Sequence, residues 1–201
     1  MKHLFALVVC GAMVVACSQM KSPEASTANA PESQPKRVGM NAKEPGFFVP
    51  PGGSRDSDET GTRRHITVKV SGADNGGALA VLEVPTARDA GPSFHMHHVE
   101  NEWFYALEGE YDIQVGAEIF HLQPGGSVYG PKLVPHTWHD VGKTSGRMLV
   151  VAQPAGHIEA FVKDLEKMTP AELRAPGAEK ALLERHNMEI AGPPLPKMLV
   201  K

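Results

Sequence analysis

The 201 residues are 41% hydrophobic and 21% charged, enough apolar material for one domain with a sizeable core and with tails beside it. Lys and Arg number 20 against 23 Asp and Glu, a formal charge of -3, and no basic run is present that could track a phosphate backbone. Nucleic acid is therefore not an expected partner.

Lys2 supplies a short basic start, and Leu4 to Ala16 carries no charge before ending in small residues at Cys17. A membrane-crossing helix needs about 20 apolar residues. The run is shorter, so residues 1–16 are expected to be a secretory signal rather than a span. Val14-Val15-Ala16-Cys17 resembles the lipobox of bacterial lipoproteins, in which cleavage falls just before the cysteine and diacylglycerol joins its sulfur. The resemblance implies lipidation of Cys17 and a membrane anchor. Ser18, rather than Asp, implies the outer membrane of a two-membrane bacterium, with the chain facing the periplasm. Ordinary secretion with cleavage elsewhere is the alternative. Cys10 is lost under either reading, so no disulfide is expected within the mature chain.

Residues 17–60 are rich in Pro, Ser, Ala, Gly and charge, with Phe47-Phe48-Val49 as the one apolar cluster. Such a stretch cannot bury enough apolar surface to offset its ordering entropy, and it reads as a disordered tether. Phe47 and Phe48 are expected to rest on the outside of the following domain.

Residues 61–155 carry short β-rich runs: His65 to Val70, Ala78 to Val84, Ser93 to His97, Glu102 to Leu107, Tyr111 to Val115, Glu118 to Leu122, Ser127 to Tyr129, His136 to Asp140 and Met148 to Ala152. Asp74-Asn75-Gly76-Gly77, Glu108-Gly109-Glu110, Gly116-Ala117 and Pro124-Gly125-Gly126 have hairpin turn chemistry. About nine closely spaced strands without a helical period predict an all-β sandwich or barrel. From residue 156 to 201 the period becomes helical. Ile158, Phe161, Val162 and Leu165 share a face; Thr169-Pro170 restarts a helix through Leu182 and Leu183, and Gly192-Pro193-Pro194 ends it. These helices are expected to pack on the barrel exterior.

In His95-Met96-His97 the imidazoles are two apart on a strand and share one face. Glu102 opens the next strand and alternates inward with Phe104 and Ala106, and a carboxylate aimed into a barrel needs a cation. Alone, the Glu reads as a hydrogen-bonded structural group and the His-x-His as a surface pair. Joined by a later histidine, they read as a metal site. His136 follows Pro135 at a strand start, whereas His139 lies on the opposite face, His98 alternates away and His121 lacks partners in spacing.

His95-x-His97-x4-Glu102-x6-Gly109 resembles the first cupin motif, and Gly126-x4-Pro131-x4-His136-x3-Asp140 is similar to the second. The likeness runs from about Thr62 to Pro154 and is to single-domain, quercetin-dioxygenase-like cupins; the ending Met188 to Leu195 is similar to the tail of many of them. It implies an antiparallel jelly-roll barrel in which His95, His97, Glu102 and His136 hold one divalent ion. Three departures stand out. Asp89 occupies the place of an opening Gly, Leu133 that of a Gly after Pro, and Asp140 that of an Asn. A branched residue resists the positive φ that Gly accepts, so Leu133 puts the turn before His136 in question. Asp140 accepts but cannot donate as Asn would, which alters any supporting role there.

Three imidazoles and a carboxylate suit Fe, Mn, Ni, Cu or Zn. Four protein ligands leave coordination positions for a small aromatic or enol substrate beside oxygen, and the resemblance implies proton abstraction by Glu102. Phe94, Met96, Phe104 and Tyr129 are the expected pocket wall, against the alternative of plain core. A non-catalytic binding lipoprotein and a metal-dependent isomerase or hydrolase stay open beside the dioxygenase, because fold alone does not decide function. Trp103, Tyr105 and Leu107 face away from Glu102, and this outer side is expected to be covered by a second copy in a homodimer or by the C-terminal helices.

Overall fold

A computed structural model describes residues 46–55 and 66–196. The described residues fall in one compact unit. Cys17, the expected leader before it and most of the expected tether lie outside the described residues. In the described part, Phe48 is 63% exposed and Phe47 45% exposed, so both rings stay open to solvent rather than buried against the barrel. The Arg55 guanidinium instead covers the Phe47 ring at 4.4 Å from its centroid. Residues 53–55 are already docked: Lys69 donates to the Gly53 carbonyl (2.8 Å) and the Val68 amide to Ser54 Oγ (3.0 Å).

Ten strands follow: β1 (Thr67–Val70), β2 (Ala80–Thr86), β3 (Phe94–His97), β4 (Asn101–Glu108), β5 (Tyr111–Val115), β6 (Glu118–Leu122), β7 (Ser127–Gly130), β8 (His136–Asp140), β9 (Gly146–Gln153) and β10 (Met188–Gly192). They make two five-stranded antiparallel sheets, ordered β1-β2-β9-β4-β7 and β10-β3-β8-β5-β6. This is the all-β jelly-roll barrel expected from the sequence, closed face to face around one core. Alternation explains the core. Leu82, Phe104, Ala106, Tyr111, Ile113, Met148 and Val150 are buried between the sheets, at the inward positions of their strands.

At the end of β8 away from His136, buried Asp140 accepts from Thr86 Oγ1 (2.6 Å) and from the Gly142 amide (3.0 Å). Tyr111 joins Thr86 (3.0 Å) and donates to the Glu108 carbonyl (2.8 Å), and burial pushes its phenol up to about 12. Asp140 therefore braces a turn rather than a metal ligand. The chain entering β3 is packed so tightly that a Cβ on Gly91 would sit 1.9 Å from the Trp138 carbonyl oxygen. Gly91→Ala is expected to destabilise by about 3 kcal/mol, read as a lowered denaturant midpoint, because the obstacle is backbone that cannot step aside.

The C-terminal segment departs from expectation. Helix α1 (Ile158–Lys167) forms as predicted, but the second helix is two pieces, α2 (Pro170–Leu173) and α3 (Ala178–Arg185). Pro176 and Gly177, the latter at φ 77, interrupt it. The chain then turns at Asn187 (φ 57), and β10 pairs with β3 where a helix end was expected. Its physical reason is the open edge of β3, which without β10 would leave amide and carbonyl groups unpaired beside the histidines. The apolar sides of the helices, with Phe161, Leu165, Leu173 and Leu182, look toward Val84 and Trp138 inside the sheets.

Candidate metal centre

Strand β3 presents His95 and His97 on one face, β4 presents Glu102, and β8 presents His136 directly across from His95. Their potential ligand atoms all lie within 4.8 Å of one another, the one such group among the described residues. The site is sealed. His136 is 0%, His97 1% and Glu102 5% exposed, while His95 is half-buried.

Each ring is held from behind. His95 Nδ1 is 2.8 Å from the Ser93 carbonyl and His136 Nδ1 is 3.0 Å from the Val134 carbonyl. A carbonyl only accepts, so both Nδ1 atoms carry the proton, leaving the Nε2 lone pairs for the site. His97 Nδ1 is 3.2 Å from Oε2 of Glu100, a carboxylate that the sequence reading did not single out. Glu100 is 1% exposed and also accepts the His157 amide at 2.5 Å. Its one sequence signal was a carboxylate three residues after a ligand histidine, a common spacing with no period to mark it.

On the inner side, Glu102 Oε2 lies 3.1 Å from His136 Nε2 and 3.7 Å from His97 Nε2. Both rings therefore sit between two acceptors: His136 between a carbonyl and Glu102, His97 between Glu100 and Glu102. A neutral imidazole has one proton and can satisfy one of them. A second proton would answer the mismatch at the cost of a buried charge, and a divalent cation answers it for both rings at once. The donor set fits a metal.

The buried carboxylate and imidazoles set one another's charge. Burial opposes a charge on Glu102, yet the His97, His136 and His95 imidazoles outweigh it and hold the carboxyl at about 2. Burial, with His136 and His97 alongside, holds His95 down at about 3, so its ring stays neutral and able to ligate. Burial also opposes a charge on His97, but Glu102 and Glu100 outweigh it and raise its value.

The other expected residues fall in varied places. Phe104 is 1% exposed and meets the His136 ring edge-on at 5.7 Å, on the inward face beside Glu102. Phe94 and Met96 alternate with the histidines on β3, opposite Gly192 and Glu189 of β10. Tyr129 is 54% exposed and pairs with Trp103 on the outer face. Outside the cluster, His121 binds Asp112 (2.9 Å), His98 lies 3.4 Å from Glu189, and His139 is buried with neither ring nitrogen hydrogen-bonded.

The turn before His136 forms despite Leu133. That residue adopts φ 63 and donates its amide to the His97 carbonyl at 2.8 Å, tying the turn to β3. Asp89, the other residue in the place of a glycine, likewise takes φ 59. Leu133→Gly is expected to raise stability by up to about 1 kcal/mol in a thermal melt, since the exposed side chain loses little packing and the left-handed strain disappears.

Residues 81–152 match the family described as the cupin domain. Among solved structures, the chain is similar to a protein from Thermus thermophilus at 27% identity, over 39% of this chain and 74% of that one, with a TM-score of 0.37. It is similar to an RmlC-like cupin from Shewanella frigidimarina at 25% identity, over 39% and 68% of the two chains, with a TM-score of 0.37. A sugar phosphate isomerase from a cupin superfamily, from Silicibacter pomeroyi, is 18% identical over 45% of this chain and 59% of that one, with a TM-score of 0.39. No curated protein matches the sequence significantly.

Proposed function

We propose that this chain, whose residues 81–152 match the cupin domain, is a metal-dependent dioxygenase of the cell envelope, acting on a small organic compound with an aromatic or enol group. The observation that carries the metal reading is the pair of buried rings, His97 and His136, each set between two acceptors. A divalent ion held by His95, His97, Glu102 and His136 would supply Lewis acidity and a path for electrons between substrate and oxygen. Substrate would approach past His95, the least buried of the four, and Phe104 would keep water from the His136 side.

Glu102 is our assignment for the proton acceptor, through Oε1, since Oε2 is the oxygen that faces His136 and His97. Glu100 does not serve, because Oε1 is taken by the His157 amide and Oε2 by His97. The test is oxygen uptake by the Fe, Mn, Ni and Cu forms over a panel of phenols and enols. Uptake with at least one form, absent in His97→Ala, is the expected result. No uptake by any form would overturn the dioxygenase reading in favour of a metal-dependent isomerase or hydrolase, or of a non-catalytic binder.

For location, the proposal is a lipid anchor on Cys17 holding the chain at the outer membrane, facing the periplasm. Labelled fatty acid should join the wild type and not Cys17→Ser, and label surviving that change would overturn the anchor. A second copy is proposed for the outer face on which Tyr129, Trp103, Val151 and Val81 lie side by side across four strands. A monomer by light scattering would remove it.

A further inference from the structure

A cavity of about 1010 Å³ lies between the inner side of the barrel and the three C-terminal helices. Val84 and Trp138 line it from the barrel, Phe161, Leu165 and Leu173 from the helices, and Ile190 from β10. Of the four candidate metal ligands, His95 alone belongs to this lining. The charged groups on its wall all come from the α2–α3 side: Arg174, Glu179 and Lys180. Two of them are engaged, Glu179 accepting from Ser93 Oγ (2.9 Å) and Lys180 pairing with Glu184. The helices are clasped together as a roof, because Asp164 of α1 accepts from Arg185 (3.3 Å) at the end of α3 and lies 3.1 Å from Nε2 of the following His186.

The size decides what fits. Pockets of about 300–1,000 Å³ bury a whole drug-sized molecule, so a single phenol or enol would leave most of this space to water against apolar walls. We propose that the ligand of this site is amphipathic: an extended apolar body, an acyl chain or a fused-ring skeleton, lies under the helical roof, and one oxygen-bearing end reaches His95. The inference rests on the metal reading above for the position of the polar end, and on the cavity alone for the apolar body. Helices α1–α3 are then part of the binding site, and β10 both closes the edge of β3 and floors the cavity.

Straight-chain alkyl hydroxamic acids of increasing length test this, because the head is a metal chelator and the tail reports the cavity. With the full chain loaded with metal, each added methylene should tighten binding about two- to fourfold until the cavity is full. Affinity independent of tail length would overturn the proposal. In His97→Ala the whole series should weaken by a common factor while the dependence on length persists. Length dependence with no common weakening would keep the cavity and overturn the metal reading; common weakening with no length dependence in either protein would do the reverse. Leu173→Asp, with an unchanged melting temperature, should flatten the dependence for the longest tails. If that variant does not fold, Leu173→Ala should weaken the longest members several-fold and spare the shortest, and equal effects on all lengths would overturn the placement under the roof.

Discussion

His97→Ala is expected to abolish metal retention: the wild type should keep about one equivalent of divalent ion through dialysis, and the variant none. The loss goes beyond one donor in four. His97 is fully buried between Glu100 and Glu102, so its removal leaves two carboxylates without the group that faces both. An unpaired buried acceptor costs about 1–3 kcal/mol, so the metal-free variant should also melt earlier than the metal-free wild type. His121→Ala is the control. Its ring is half exposed and bound to Asp112 outside the cluster, and the variant should keep its metal. Elemental analysis with calorimetric titration reads both, and full stoichiometry in His97→Ala would refute the ligand set.

The second large effect is expected at a residue that need not touch the ion. Glu100 reaches His97 Nδ1 with one oxygen and the His157 amide with the other. Space around it is closed, because a Cβ on Gly156 would lie 2.0 Å from Glu100 Oε1. Glu100→Gln keeps the shape and one acceptor but places an NH₂ against a donor. Supporting groups of this kind are worth about 10–100-fold in metal affinity, and that is the loss expected by titration, with a small change in melting temperature. Unchanged affinity in a folded Glu100→Gln would show that the Val134 and Ser93 carbonyls orient the site without it.

The His95, His97, Glu102 and His136 cluster was legible because it obeys the simplest period a chain has. His95 and His97 are two apart on β3, Glu102 is the second residue of β4, and His136 starts β8, so local alternation already points them inward. Strands β5, β6 and β8 were legible to the residue for the same reason. Glu100 was not legible, since it lies between strands where no period assigns a face. Strand β10 was hidden for a different reason. Met188 to Gly192 follows α3 after a turn of two residues, and its extended form is set by the free edge of β3, ninety residues earlier. The cavity could not be read either, because β2, β8, β10 and three helices meet there from distant parts of the chain. Leu133 is instructive in another way. The sequence marked it as an obstacle to the turn before His136, and the turn forms anyway, with an amide bond to the His97 carbonyl offsetting the left-handed strain.

X-ray absorption at the metal edge of the full chain, loaded with its preferred ion, reads the proposed ligand set most directly. Three imidazole nitrogens and one carboxylate oxygen are expected in the shell, completed by water or substrate oxygen. Fewer than three imidazoles, or any sulfur in the shell, would contradict that set.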